Sequence, residues 1–244
     1  MPEGPSIVIL KEAVQQFKNK NVVTVGGNRK IDLQRMAGKT ILDFRSFGKQ
    51  FLICFDGFMV RIHFLLFGSY LINERKEATP RLSLQFDNGE INFYACSVRY
   101  LEGCADDLYD WSGDVMSPQW NPESAKDKLK NHPNMLVCDA LLNQDVFAGV
   151  GNIIKNEVLY RIRVHPETTV GSLPVEKLDE MIHEARNYSF DFLRWKKQYV
   201  LKKHWLAHGQ KRCTRCDVPI IRKHLGKTNR RSFFCTNCQI KYGL

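Results

Sequence analysis

The chain has 244 residues, enough for one or two buried cores, and its 36 Lys and Arg against 26 Asp and Glu leave a net charge of +10. That excess favours nucleic acid or another acidic partner, although a modest surplus also serves solubility. No apolar run approaches the ~18–20 residues of a membrane span, and the first residues form neither a basic n-region nor an apolar h-region, so a membrane protein and a cleaved leader are both unexpected.

Pro5 and Ser6 can open a helix, and Ile7, Leu10, Val14 and Phe17 then recur at helical spacing on one face. From Thr40 the pattern changes to strands. Residues 51–55 and 58–64 flank Asp56-Gly57, which supplies the positive φ angles of a tight hairpin turn. A second hairpin is predicted where Leu82, Leu84 and Phe86 alternate before Asp87-Asn88-Gly89, with Ile91 and Phe93 after it. This half reads as a two-layered β domain. Breakers between Trp111 and Pro122 mark a linker, and the remainder reads as helices over 124–144, 152–163 and 174–205.

Between the first two of these helices lies Gly149-Val150-Gly151-Asn152. Two glycines let the backbone turn sharply, Asn152 can cap the next helix, and amides at a helix start attract phosphate. Taken alone the tetrapeptide is a weak signal, and an ordinary helix connection is the simpler account.

The C-terminal segment is more specific. Cys213, Cys216, Cys235 and Cys238 stand as C-x2-C-x18-C-x2-C, a spacing that brings four thiolates into a tetrahedron around Zn2+. Two disulfides or four buried thiols are the lesser alternatives. The intervening Arg222, Lys223, His224, Lys227, Arg230 and Arg231 make the ribbon cationic. Cys54, Cys96, Cys104 and Cys138 are scattered, as reduced intracellular thiols are, so a cytoplasmic location is expected.

With these pieces in order, the chain resembles the formamidopyrimidine-DNA glycosylase and endonuclease VIII family of DNA repair enzymes. The opening Met-Pro-Glu-Gly-Pro, Gly48-Lys49 before a strand, Gly149-Val150-Gly151-Asn152 and the four-cysteine ribbon carry the resemblance over nearly the whole length. It implies an α+β multidomain architecture: an N-terminal β-sandwich with an N-terminal helix over 1–121, a helix-two-turn-helix domain over 122–208 and a zinc ribbon over 209–244. It also implies a monomer acting on double-stranded DNA that contains oxidised bases or abasic sites, with structural Zn2+ as the cofactor.

The family assigns nucleophilic chemistry to Pro2. Once Met1 is removed, Pro2 presents a secondary amine; an α-amino group titrates near ~7.7–8.0, and a helix N-terminus lowers that further. By resemblance this amine attacks C1′ of a damaged nucleotide and forms an iminium, after which elimination cleaves the strand. Glu3 would protonate the departing sugar oxygen or shuttle protons, although by itself a glutamate there need only favour the positive helix end. Lys49, otherwise an ordinary solvated lysine, would reach the phosphate or sugar beside the lesion. Asn152 and Arg230 would grip flanking phosphates, which positions DNA without reading its sequence. Arg99 and Tyr100, with Leu66 as a weaker candidate, would fill the gap left by a flipped nucleotide.

Two departures qualify the resemblance. Family members carry a second glutamate where this chain has Ser6, so a weakened or inactive lesion-binding protein is the alternative to the enzyme. Basic residues, Arg194-Trp195-Lys196-Lys197 and Lys202-Lys203, replace the long glycine-containing loop that covers oxidised purines. The expectation therefore leans toward the endonuclease VIII-like branch and oxidised pyrimidines.

Overall fold

The computed structural model describes residues 2–28 and 31–243. The chain divides into two compact units, Met1–Asp110 and Trp111–Leu244.

The first unit opens with α1 (Gly4–Ala13), where Pro5 supplies a preset φ and lacks an N–H that the first turn could not use. Its apolar face behaves as its spacing predicts: Ile7, Leu10, Val14 and Phe17 are all buried. β1 (Thr24–Gly26) follows, then β2 (Asp43–Phe47), β3 (Gln50–Cys54) and β4 (Phe58–His63). β5 (Ser69–Ile72), β6 (Leu82–Phe86), β7 (Gly89–Tyr94) and β8 (Ser97–Glu102) complete the strands of this unit, and α2 (Ala105–Leu108) ends it. Two antiparallel four-stranded sheets form, in the orders β1-β6-β7-β5 and β2-β3-β4-β8. Both predicted hairpins are present, with Cys54 opposite Met59 and Phe86 opposite Gly89. Alternating inward residues, Phe51, Ile53, Val60 and Ile62 from one sheet and Leu82, Leu84, Ile91 and Phe93 from the other, share one core with the apolar face of α1.

The second unit holds α3 (Pro122–Lys130), α4 (Val137–Ala140), α5 (Asn152–Arg161) and α6 (Val175–Lys197), then a hairpin of β9 (Ile221–Leu225) and β10 (Arg230–Phe234). The breaker-rich stretch from Trp111 to Pro122 packs within this unit: Val115 is buried in its core, and Asp114 bridges to Ala148. The single helix expected over 124–144 is two. Pro133 cannot extend α3, because its ring clashes with the preceding turn and its nitrogen carries no proton, so the chain turns and restarts at Val137. The last helix also stops short of its expected end, at Lys197, where Tyr199 adopts a left-handed φ of 60°. Among the described residues no helix is long and apolar enough to cross a membrane.

Candidate active site and nucleic-acid interface

In the first unit, Pro2 precedes Glu3, which is the N-cap of α1 and only 1% exposed. The Glu3 carbonyl accepts the Ser6 N–H at 2.8 Å, closing the first turn and fixing the chain direction at Pro2. Met1 lies outside the described residues. α1 packs on β2 and β3, and Lys49 sits on the two-residue turn that joins these strands, next to Gly48 at a φ of 53°. His63 pairs with Gln50 at the same end of the sheet. Burial first, then the charges of Lys49 and Arg61, lower its pKa, which keeps it neutral near pH 7. The fold thus sets Pro2 and Glu3 on one element and Lys49 on the turn between the strands that support it.

The other predicted residues of this unit lie elsewhere. Arg99 and Tyr100 belong to β8, a strand paired with β4. Arg99 is exposed opposite Arg61. Tyr100 stands edge-on to Phe58, its ring lies near the Arg35 guanidinium, and its hydroxyl donates to the Asp32 carbonyl. Those contacts tie the phenol to the sandwich, so using it to fill a gap in a duplex would mean giving them up. Leu66 is better placed. It lies between β4 and β5 in a loop closed by the Gly68 N–H donating to the Phe64 carbonyl at 2.8 Å. A Cβ at Gly68 would collide with that same carbonyl, so only glycine permits a turn this tight. The turn drives Leu65, Leu66 and Phe67 outward, 51%, 48% and 87% exposed. Phe67 was not among the expected site residues; three consecutive apolar side chains ahead of a glycine were the available signal.

In the second unit the four cysteine Sγ atoms lie within 4.8 Å of one another, with Cys213 and Cys238 3.7 Å apart. Four thiolates each ~2.3 Å from a tetrahedral ion stand ~3.8 Å apart, so this donor set fits a closed metal site with no position left for a substrate. None of the cysteines is in a disulfide, which removes the two-disulfide alternative. Each pair sits on a tight turn: the Cys213 carbonyl accepts the Asp217 N–H at 2.9 Å, and the Cys235 carbonyl accepts that of Gln239 at 3.2 Å. The cluster shares a small core with Tyr160 of α5, Ile220 and Phe233.

Two buried carboxylates fasten the ribbon to the helices. Glu157 accepts the N–H groups of Leu206, Ala207 and His208 at 2.9, 2.9 and 2.8 Å. Burial pushes its pKa up, and the three amides oppose that shift. Asp139 accepts from Lys227 N, Thr228 N and Thr228 Oγ1 at 2.8, 3.1 and 2.7 Å, gripping the β9–β10 turn. Gly226 in that turn has a φ of 70°, and a Cβ there would strike the Asp139 carboxylate.

These anchors leave a cavity of about 320 Å³ lined by Asn152, His208, His224, Asn229, Arg230 and Arg231 together with Phe233. The structure therefore brings Asn152 and Arg230, 78 positions apart by number, to one place. Gly149 takes the turn before α5 at a φ of 103°, and the Gln144 side chain tethers it, accepting from Gly149 N and donating to Val150 O. Asn152 is not the cap of α5: the N-cap is Gly151, and the Asn152 side chain donates to the Arg231 carbonyl at 3.0 Å instead. Polar donors and cations around a concave surface suit an anion of phosphate size. His208, whose pKa falls to about 4 through burial and then the charge of Lys155, is neutral there at pH 7.

Residues 112–189 match the family model described as the formamidopyrimidine-DNA glycosylase H2TH domain. An endonuclease 8-like 3 protein of Bos taurus is 31% identical over 98% of this chain and 40% of its own length. The chain belongs to the formamidopyrimidine-DNA glycosylase and endonuclease VIII family. Within that family it stands nearer the endonuclease 8-like branch; a formamidopyrimidine-DNA glycosylase of Carboxydothermus hydrogenoformans is 25% identical over 84% of this chain and 83% of its own. The chain spans about two fifths of the length of the bovine relative. The fold is shared with the Lactococcus lactis formamidopyrimidine-DNA glycosylase, solved non-covalently bound to DNA containing an abasic site, at a TM-score of 0.86, 17% identity and coverage of 98% and 100% of the two chains.

Proposed function

We propose that this chain is a base-excision DNA glycosylase with abasic-site lyase activity, acting on oxidised bases in double-stranded DNA through the Pro2 amine. The observation that carries this reading is the placement of Glu3: a carboxylate almost wholly withdrawn from water at the head of a helix, directly beside the residue whose nitrogen would react.

In this reading, removal of Met1 frees the Pro2 nitrogen, whose lone pair attacks C1′ while the bond from C1′ to the damaged base breaks. The Pro2 nitrogen gives up its N–H proton once bonded to C1′, and the departing base takes up one proton, so the charge balances. Glu3 protonates the ring oxygen as the sugar opens, leaving an iminium between Pro2 and C1′. Loss of a C2′ proton to a base then expels the 3′ phosphate, and water releases the enzyme. Lys49 contacts the phosphate or sugar beside the lesion. Asn152 and Arg230 hold flanking phosphates, and Leu66, with Phe67 beside it and Arg99 from β8, fills the space the flipped nucleotide vacates. Tyr100 is the weakest of the gap-filling candidates because of its contacts within the sandwich.

The four cysteines would hold Zn2+, which supplies a structural cross-link and takes no part in bond making. The basic residues in the last turn of α6, Arg194, Lys196 and Lys197, with Lys202 and Lys203 just after it, stand in place of a long covering loop and favour oxidised pyrimidines. We place the activity in a monomer and in a reducing, cytoplasmic setting, in keeping with the scattered thiols of Cys54, Cys96, Cys104 and Cys138.

Ser6 motivates a second reading, a protein that binds lesions without turnover. Its N–H is used by the Glu3 carbonyl, and its hydroxyl cannot hold a proton as a carboxylate does. Borohydride trapping on duplexes containing an abasic site or an oxidised pyrimidine separates the two. An adduct that disappears in Pro2→Gly and in a form retaining Met1, where the nitrogen is an amide, supports the enzyme. Tight binding with neither adduct nor nicking rejects it in favour of the second reading.

A further inference from the structure

We propose that Lys155 is a positioning residue for phosphate capture: its buried ammonium fixes β10 against α5 so that Arg230 and Asn152 meet the same phosphate. The proposal rests on reading the 320 Å³ cavity as a phosphate site.

Lys155 is fully buried, at 0% exposure, although it is one of the most strongly hydrated residue types. Its Nζ donates to Ser232 Oγ at 2.8 Å and to the Arg231 carbonyl at 3.3 Å. Asn152 and Asn156 stand three positions before and one after it, on the same face of α5. Both send side-chain amides to that same carbonyl, at 3.0 and 3.3 Å, and Asn156 Oδ1 accepts the Phe233 N–H at 3.0 Å. Three donors from one helix face thus converge on a single carbonyl of β10. The residue carrying that carbonyl follows Arg230 directly, and both line the cavity with Asn152.

Packing alone does not call for lysine at this place. Withdrawing an ammonium from water is costly, and an apolar side chain of equal length would fill the same volume without that cost. What the ammonium adds is direction and charge. Its hydrogen bonds set the register of β10 along α5, which a sliding apolar contact would not, and its field reaches the cavity, where it is the second cause, after burial, of the lowered His208 pKa. A phosphate entering the cavity therefore meets Arg230 and Asn152 already spaced for it, with a positive charge behind them.

The test uses the full chain, loaded with zinc, and an abasic-site duplex, comparing Lys155→Met, Ser232→Ala and Arg230→Ala with wild type over a salt series, alongside melting midpoint and bound metal. Lys155→Met should keep its metal and melt at or above the wild-type midpoint, yet bind DNA about tenfold more weakly, with a log–log salt slope reduced by about one as Arg230 loses its phosphate. Ser232→Ala, which retains the charge and removes one of its contacts, should weaken binding by a smaller factor. Adding Lys155→Met to Arg230→Ala should weaken binding little beyond Arg230→Ala alone, because both act through one contact. Wild-type binding by Lys155→Met beside a weakened Arg230→Ala overturns the proposal, as does a parallel loss of melting midpoint and affinity, which is what a purely structural lysine would produce. If Arg230→Ala also binds as wild type, the phosphate reading itself falls.

Discussion

The side-chain amide of Asn152 donates to the main-chain carbonyl of Arg231 at 3.0 Å across 79 positions of sequence. The hydrogen bond joins the first residue of α5 to the second strand of the cysteine ribbon, and it makes two weak motifs into one surface. An amide nitrogen has two protons, so Asn152 can keep this bond and still offer a donor to a phosphate.

Arg230→Ala tests that surface directly. Affinity for duplex DNA should fall by a similar factor for damaged and undamaged sequences, and the slope of log affinity against log salt should decrease by about one. Fluorescence anisotropy from low to moderate salt measures both quantities. An unchanged slope would remove Arg230 from the interface.

Metal removal should act on the same surface. The ribbon has only a small core, Tyr160, Ile220 and Phe233 among its members, so four thiolates released from a metal leave the hairpin poorly held. A thiol-competing chelator should abolish DNA binding, and added Zn2+ should restore it.

The loop before β5 makes a separable prediction. Replacing Leu66 and Phe67 together by alanine removes exposed side chains and should leave thermal stability nearly unchanged. Single-turnover excision from duplex DNA should slow by about tenfold or more, because a wedge lowers the cost of unstacking. A single-stranded substrate needs no such wedge, so its rate should change less.

Stability in acid should depend on Glu90. Its carboxylate accepts from the Arg75 guanidinium and, more weakly, from Asn92 and Gln85, which holds its pKa down to about 2. The folded pKa lies below the ordinary glutamate value near ~4.3, so the unfolded chain binds the proton first. The contribution is therefore complete above about pH 4.3 and is lost as the pH falls toward 2. Arg75→Met should reduce stability at pH 7 and flatten the loss between pH 4.3 and 2, as read from urea midpoints. A parallel shift at every pH would show that Arg75 does not act through Glu90.

Much of the fold was legible because its signals are local. Asp56-Gly57 and Asn88-Gly89 require the backbone angles of hairpin turns, and the spacing of Ile7, Leu10, Val14 and Phe17 describes one face of a helix. The cysteine pairs were legible for a similar reason, since each holds its two thiols close by its own turn. The break at Pro133 was present in the sequence as a helix-breaking residue, yet the apolar period on both sides concealed it.

Residue type, spacing and turn chemistry by themselves determined the two antiparallel hairpins, the first helix and its buried face, the metal-competent cysteine set and the membership suggested by the order of these motifs. Tertiary structure alone decided which cations share a cavity, that Asn152 serves β10 rather than the end of its own helix, that Tyr100 is tied into the sandwich, and that Lys155, Asp139 and Glu157 are buried anchors of the ribbon. Periodicity and turn preference act over a few residues and are written in the local chain. The carbonyl that a buried lysine reaches 76 positions away is chosen only when separate elements pack, because its burial is stabilised by partners that no local pattern contains.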